Sequence, residues 1–104
     1  MIREGEQNMG WFVYLLRCGD GTLYTGSTND LTGRLTAHQR GKGAKYTRSR
    51  LPVELVYWEE LPDRSAALRR EAAVKKLTRA EKLALVAGRS VGSTISREEQ
   101  NLAT

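Results

Sequence analysis

The amino-acid sequence predicts a small α+β domain, in which a three-stranded antiparallel sheet is flanked by helices in the order ββαβαα. Two observations indicate this class. Short aromatic and β-branched runs alternate with longer segments that open on helix-capping residues, and a tight Gly-Asp-Gly turn joins the first two runs. At 104 residues the chain is long enough for one domain with a modest core and too short for two.

The first element is a strand that begins at Trp11 and extends to Leu16. This continuous aromatic and aliphatic run fits a strand covered on both faces. A second strand is predicted from Thr22 to Thr28. Because two glycines and an aspartate separate the two runs, we expect the strands to pair as a hairpin.

The length of this turn decides which way two tyrosines point. A three-residue loop over residues 19–21 pairs Tyr14 with Gly26 and Tyr24 with Leu16, so that both hydroxyls lie on one face of the sheet. A two-residue loop would put them on opposite faces, because a one-residue slip in register reverses every side chain. We predict the three-residue loop, with its last glycine in the left-handed conformation.

The first helix is predicted to follow Asn29 or Asp30, either of which is a suitable N-cap. It runs to about Arg40 and is ended by Gly41. Residues 40–50 hold two glycines, five basic residues and no acidic one, and are predicted to form a loop.

The third strand is predicted over residues 53–58, a run of aromatic and aliphatic residues introduced by Pro52. Asp63 then caps a second long helix, predicted over residues 64–77.

A Thr-x-x-Glu capping box at Thr78 opens a third helix, which is predicted to end before Gly88. The folded domain is therefore expected to span residues 11–87. The small and polar residues on either side show no periodicity, and disordered tails are predicted over residues 1–10 and 88–104.

The charge of the chain indicates a polyanionic partner. The formal net charge is +5, and residues 11–87 hold fourteen lysines and arginines against eight acidic residues. The excess of positive charge thus belongs to the folded part, where it can form a surface for nucleic acid. The alternative is an ordinary solvated basic face.

Composition also excludes several classes of protein. Cys18 is the only cysteine and His38 the only histidine, which excludes an intrachain disulfide, a cysteine-based zinc site and a multi-histidine metal cluster. No apolar run approaches the about 20 residues of a membrane span, so no membrane contact is expected. The N-terminus lacks a signal-peptide pattern, and a cytoplasmic protein is expected.

One carboxylate stands out as a candidate metal ligand. Glu71 lies between the apolar flanks of the second long helix rather than on a wholly polar face. Magnesium prefers oxygen ligands and often uses one or two carboxylates, with water and phosphate completing its shell. We therefore expect a single Mg²⁺ or Mn²⁺ at Glu71. The alternative is a surface glutamate paired with Lys75 at i,i+4.

Four further side chains suit phosphodiester cleavage. Arg34 offers a fork of donors for a phosphate, and His38 can orient water or shuttle a proton. Tyr14 and Tyr24 are candidate catalytic tyrosines, although strand tyrosines are often core residues with satisfied hydroxyls. A tyrosine that acts as a base needs its pKa of about 10 lowered, which a nearby cation can do.

These residues occur in an order that resembles the GIY-YIG nuclease superfamily. The resemblance rests on Val-Tyr in the first strand, Tyr-Thr-Gly in the second, a Ser-Thr-Asn-Asp-Leu segment followed by Arg34 and His38, and Arg70-Glu71 on a later helix. Gly-Lys-Gly-Ala-Lys-Tyr-Thr is similar to a branch of small stand-alone bacterial proteins, which resembles the nuclease domain of structure-specific junction endonucleases. Phe12 stands where the name-giving glycine would be.

The resemblance implies a sheet flanked by helices and one divalent ion. It implies that Tyr14 is the general base or positions water, and that Tyr24 positions the nucleophile or phosphate. Arg34 would hold phosphate, His38 would assist proton transfer, and Glu71 would bind the metal. The superfamily often selects its target through an extra domain that is not seen here, so a protein partner could supply targeting.

The basic segment, residues 40–50, is expected to follow a phosphate backbone. Its candidate nucleic-acid-binding residues are Arg40, Lys42, Lys45, Tyr46, Arg48 and Arg50. The sequence thus predicts a metal-dependent endonuclease acting on DNA. A non-catalytic binder of DNA or RNA with the same fold and a protein-interaction module remain as alternatives.

Overall fold

The computed structural model describes residues 10–91, and side chains up to residue 88. Most of the two predicted tails lies outside this range, namely residues 1–9 and 92–104. The predicted α+β class and the ββαβαα order are confirmed.

A three-stranded antiparallel sheet forms the middle layer. Its strands are β1 (Trp11–Arg17), β2 (Leu23–Thr28) and β3 (Glu54–Leu61), in the spatial order β2-β1-β3. The third strand starts one residue later and ends three residues later than predicted. Since β1 pairs with both neighbours, β2 is an edge strand whose outer side is open.

The hairpin has the predicted register. Tyr14 pairs with Gly26 and Leu16 with Tyr24. Gly21 has a φ of 86° and donates from its backbone N–H to Cys18 O at 2.8 Å, which closes the three-residue loop. Both tyrosines therefore project from the same face.

Each face of the sheet carries its own apolar cluster. Val13 and Leu15 pack with helix α3 (Arg64–Lys75) on one face. Tyr14 and Leu16 pack with helix α1 (Leu31–Gln39) on the other. The strand alternation of β1 thus separates a structural core from the face that carries the tyrosines.

The capping residues act as predicted. Asp30 accepts from the backbone N–H of Gly33 at 3.1 Å and opens α1, and Asp63 accepts from Ala66 N–H at 2.8 Å and opens α3. Gly41, with a φ of 78°, follows the end of α1.

The structure differs from the prediction in the basic segment, which contains a one-turn helix α2 (Lys45–Arg48). Arg48 N–H donates to Ala44 O at 3.0 Å, and Thr47 is fully buried. The composition of this segment, which is rich in glycine, indicated only a loop. It could not reveal the helical turn, because the turn is held by the packing of Thr47.

The last two helices differ from the prediction at their C-terminal ends. Helix α3 ends two residues before the predicted Leu77. Helix α4 begins at the predicted Thr78–Glu81 capping box and spans Arg79–Val91, so it is longer than predicted. Helix α4 therefore continues through Gly88, which the sequence predicted as its limit. A glycine inside a helix costs only about 1 kcal/mol relative to alanine, so it does not end a helix by itself.

Candidate active site

Three of the predicted catalytic residues meet on the face of the sheet that packs against α1. The Tyr14 hydroxyl lies 2.9 Å from Nε2 of His38, and both side chains are buried. The Tyr24 ring lies 6.5 Å from the Tyr14 ring and 5.2 Å from the His38 ring, measured between centroids. The hairpin register and the first helix together assemble this aromatic cluster.

The environment of Tyr14 keeps its hydroxyl protonated. Burial raises the pKa of Tyr14, the charge of Tyr24 raises it further, and Arg34 lowers it by less. The guanidinium of Arg34 therefore does not give Tyr14 the lowered pKa that a tyrosine needs to act as a base by itself, because desolvation of the phenolate outweighs it. A protonated phenol can act as a base only if it gives its own proton to a neighbouring group.

His38 is the neighbouring group that can take this proton. Burial and the positive charge of Arg34 lower the pKa of His38, so its imidazole is neutral at physiological pH. Its second nitrogen, Nδ1, lies 2.8 Å from the Thr47 hydroxyl. Both ring nitrogens of His38 thus have a partner inside the protein.

Glu71 reaches the site from the opposite layer. It lies on α3, and the Ser27 hydroxyl donates to its Oε1 at 2.6 Å. Ser27 follows Gly26, against whose backbone the Tyr14 hydroxyl packs. The carboxylate therefore approaches at the open edge of β2, and its negative charge contributes to the raised pKa of Tyr14.

The alternative interpretation of Glu71 is correct in one respect. Lys75 lies with its Nζ 3.0 Å from Glu71 Oε2, as expected for an i,i+4 pair. The Glu71 side chain is only 17% exposed, however, and its hydrogen bond to Ser27 ties it to the sheet. Glu71 is not a solvated surface residue.

The surroundings of Glu71 suit one divalent ion with few protein ligands. Within residues 10–88 no group of three or more His, Cys, Asp or Glu side chains could hold a metal. The Lys75 ammonium beside Oε2 marks a position where this carboxylate already accepts a cation. One carboxylate with water and phosphate oxygens is an ordinary magnesium shell, so the residues fit Mg²⁺ or Mn²⁺.

Arg34 lies at the solvent boundary of the site. It is exposed and lines a cavity of about 280 Å³ at the start of α1. Its charge acts on both Tyr14 and His38. The guanidinium is therefore near enough to act electrostatically on Tyr14 and His38, and it is accessible to an anion. The other lining residues are Thr28, Asn29, Asp30, Gly33 and Ala37.

The basic segment divides into paired and unpaired cations. Arg50 donates to Asp20 at 3.0 Å and to Tyr46 O at 2.9 Å, and its guanidinium lies 3.8 Å above the Tyr46 ring. Tyr46 in turn stacks on Tyr24 at 5.9 Å. Four other cations form no ion pair with any carboxylate in the part of the chain that the structure describes: Arg40, Lys42, Lys45 and Arg48.

Two residues of the site were missed at the level of sequence. Thr47 contacts His38, and Ser27 contacts Glu71. The strand alternation of β2 places Ser27 on the face opposite Tyr24, which could have indicated its partner on α3. No signal of this kind exists for Thr47, because its burial depends on α2.

The sheet between two helical layers, with its tyrosine–histidine cluster and edge carboxylate, is the arrangement that the sequence predicted for a nuclease-type domain. The chain matches the GIY-YIG catalytic domain over residues 10–84 and belongs to that family. Membership implies a nuclease-type fold and contact with nucleic acid. No helix within residues 10–91 is long and apolar enough to cross a bilayer.

Among small bacterial relatives, the chain is similar to UPF0213 proteins. It is 57% identical over 79 residues to one from Streptococcus sanguinis, covering 76% of this chain and 91% of that protein. It is 48% identical over 91 residues to one from Clostridium perfringens, covering 88% and 98%.

Two solution NMR structures have the same fold. One is a UPF0213 protein from Bacillus halodurans, with 47% identity, a TM-score of 0.50 and coverage of 76% of this chain and 84% of that chain. The other is a protein from E. faecalis, with 38% identity, a TM-score of 0.53 and coverage of 85% and 92%. The family resemblance and the fold predicted from the sequence are thereby confirmed.

Proposed function

We propose that this protein is a divalent-metal-dependent endonuclease that hydrolyses phosphodiester bonds in DNA. The observation that carries the proposal is the 2.9 Å hydrogen bond between Tyr14 and His38, beside an edge strand at which Ser27 holds Glu71 through a hydrogen bond of 2.6 Å. A proton acceptor and a carboxylate that fits a metal are the two parts that metal-assisted hydrolysis requires.

Tyr14 and His38 act together as the base. As water attacks phosphorus, its proton passes to the Tyr14 oxygen while the phenol proton moves to Nε2 of His38. This coupled transfer avoids a free phenolate, which the burial of Tyr14 disfavours. The P–O bond to the leaving oxygen then breaks as that oxygen takes a proton from water at the site. The hydroxide so formed takes the proton of Tyr14 while the imidazolium of His38 returns its proton to the Tyr14 oxygen, which restores the pair.

The remaining residues bind and orient. Glu71 would hold the ion, oriented by Ser27. A divalent ion bound there supplies positive charge to the phosphate and to the leaving oxygen. Arg34 holds a phosphate oxygen from the cavity at the start of α1, and Tyr24 limits the position of the Tyr14 and His38 rings.

The test is cleavage of branched and single-stranded DNA by the purified protein with Mn²⁺. Tyr14→Phe and Glu71→Gln are each expected to lower the cleavage rate by about 10²-fold or more while DNA binding remains. The matched controls are Tyr57→Phe, which removes a hydroxyl that donates to Glu59, and Glu60→Gln, which removes an exposed carboxylate. Cleavage that persists unchanged in both site variants would point to a contaminating nuclease and refute the proposal.

A second function, nucleic-acid binding without turnover, is favoured by one observation. Lys75 already neutralises Glu71, and an ion must displace it before it can bind there. Binding of DNA or RNA with no cleavage at any Mn²⁺ concentration would support this function. Absence of binding at low salt would favour a protein-interaction module instead.

A further inference from the structure

Thr47 is a buried polar residue that the mechanism above does not use. It lies on helix α2 in the middle of the basic segment, and its side chain is fully buried. The Thr47 hydroxyl contacts two atoms: it donates to Ala44 O at 3.2 Å, and it lies 2.8 Å from Nδ1 of His38.

The number of available protons decides how these bonds are arranged. A threonine hydroxyl has one proton, and the contact with Ala44 O is a hydrogen bond only when that proton points there, because a carbonyl oxygen can only accept. The contact with His38 must then be donated by an N–H at Nδ1. A neutral imidazole carries a single N–H, so Nε2 has a lone pair and accepts from the Tyr14 hydroxyl.

The opposite tautomer is less consistent with these contacts. If Nε2 carried the proton, Nδ1 would accept from Thr47, and the carbonyl of Ala44 would lose the hydroxyl that now donates to it. Tyr14 would then accept from His38, and Nε2 would have no lone pair to receive the proton of Tyr14.

The same segment also fixes the imidazole ring sterically. A Cβ at Gly43 would overlap Nδ1 and the ring carbons of His38, so the backbone of residue 43 packs directly against the ring. Gly43 and Thr47 thus hold His38 from one side, while Tyr14 and Tyr24 contact it from the other. The close approach of the residue 43 backbone therefore limits the space around the His38 ring.

We propose that Thr47 is a positioning residue that holds His38 in the Nδ1–H tautomer, so that Nε2 is free to accept the proton of Tyr14. The catalytic consequence of this role rests on the nuclease function proposed above, whereas the tautomer itself is a property of the folded protein. In a serine protease triad, an aspartate has the corresponding role toward its histidine.

The tautomer can be measured directly, because His38 is the only histidine in the chain. Long-range ¹H–¹⁵N correlation spectra of [¹⁵N]histidine-labelled protein at pH 8 distinguish a protonated from an unprotonated ring nitrogen. The wild-type protein is expected to show a protonated Nδ1 and an unprotonated Nε2. A protonated Nε2 in the wild-type protein overturns the proposal, whether or not any variant folds.

Variants at position 47 test the cause. Thr47→Val keeps the shape of the side chain but removes the acceptor, and is expected to shift His38 toward the Nε2–H tautomer. Thr47→Ser keeps the hydroxyl and is expected to keep the wild-type spectrum. The matched control is Thr25→Val, since Thr25 is also buried but projects from the opposite face and its hydroxyl has no partner among the described residues.

Cleavage assays on the same variants complete the test. Thr47→Val is expected to lower the cleavage rate by about 10- to 100-fold, and Thr47→Ser to restore it. A Thr47→Val variant with an unchanged tautomer, or with a shifted tautomer and the wild-type rate, overturns the proposal. If the wild-type protein cleaves no DNA, the nuclease function fails, and a shifted tautomer in Thr47→Val still supports the action of Thr47 on His38.

Discussion

The hydroxyl of Tyr14 packs directly on the backbone of Gly26, its partner across the β1–β2 ladder. A Cβ built on residue 26 would overlap both the hydroxyl and the ring carbon that bears it. Gly26 is therefore needed for space rather than for an unusual backbone conformation. The Tyr14 hydroxyl extends from the central strand over the edge strand to His38, and this path is open because residue 26 has no side chain.

Gly26→Ala is expected to displace the Tyr14 hydroxyl and to lower the DNA cleavage rate by about 10²-fold, because a shift of about 1 Å in a catalytic group has an effect of that size. DNA affinity, measured by fluorescence anisotropy, should not change. Gly88→Ala is the control, since a Cβ there meets no atom within 4 Å, and it is expected to keep the wild-type rate. A wild-type rate in Gly26→Ala would exclude Tyr14 from the chemistry.

Substitutions at Lys75 and Ser27 should change the affinity for Mn²⁺ in opposite directions. Lys75→Met removes the ammonium that competes for Glu71 Oε2, and is expected to lower the Mn²⁺ concentration needed for half-maximal binding. Ser27→Ala removes the hydroxyl that orients Oε1 and is expected to raise that concentration about 10-fold or more. Binding is measured by electron paramagnetic resonance of free Mn²⁺.

The control for Lys75→Met is Lys76→Met, which removes the neighbouring exposed lysine at the end of α3. It should leave Mn²⁺ binding unchanged. If Lys75→Met and Lys76→Met change the affinity equally, then the ion does not bind at Glu71, and only a general charge effect is being measured.

Salt dependence will show which cations of the basic segment contact phosphate. If the four unpaired residues each neutralise one phosphate, the slope of log K against log salt concentration on duplex DNA is about −3.6. Lys45→Met should reduce the magnitude of the slope to about 2.7. Arg50→Met should leave it unchanged, because Arg50 is bound to Asp20 and Tyr46. A wild-type slope near zero would remove the assigned role of the segment.

Thr25 offers a test of stability that is independent of function. Its hydroxyl is buried and has no hydrogen-bond partner among the described residues, on the sheet face that packs against α3. A buried unpaired hydroxyl costs about 1–3 kcal/mol, so Thr25→Val is expected to raise the free energy of unfolding by about 1 kcal/mol or more. Urea denaturation at pH 7.5 measures it, and a decrease would mean that the hydroxyl has a partner in solution.

Local signals were sufficient for the sheet and for most helix boundaries. The Gly-Asp-Gly turn determined the pairing of Tyr14 with Gly26, because a left-handed glycine closes a three-residue loop. Asp30 and Asp63 likewise determined where α1 and α3 begin, since N-cap hydrogen bonds depend only on residues three positions apart.

Features that depend on distant contacts were not predictable. Helix α2 is held by the burial of Thr47 against His38, and the composition of the segment does not indicate this contact. Arg50 is predicted to bind nucleic acid, and the sequence did not reveal its ion pair with Asp20, because Asp20 lies thirty residues away in sequence and becomes its partner only after folding. The number of charged residues predicts the sign of the surface charge. The fold is needed to show which lysines and arginines form no ion pair.

Arg34 is expected to contribute, after burial, to the low pH at which His38 titrates. Burial and Arg34 hold the pKa of His38 below 6.5 in the folded state, whereas an unfolded chain has a pKa of about 6.5. Arg34→Met should therefore raise the folded pKa toward 6.5, and the acid limb of the cleavage profile should move to higher pH, because catalysis needs neutral His38. Chemical shifts of the single histidine against pH measure the change directly, without DNA.

The lowered pKa of His38 also makes the stability of the folded protein depend on pH. Because the folded pKa of His38 lies below the unfolded value, the unfolded chain binds more protons, and stability is lost as pH falls from about 6.5 to the folded pKa. Arg34→Met should narrow that range. Arg17→Met is the control, because Arg17 faces Glu54 and should leave the titration of His38 unchanged. A midpoint in Arg34→Met equal to or below that of the wild-type protein would show that burial alone lowers the pKa, and Arg34 would then act only on phosphate.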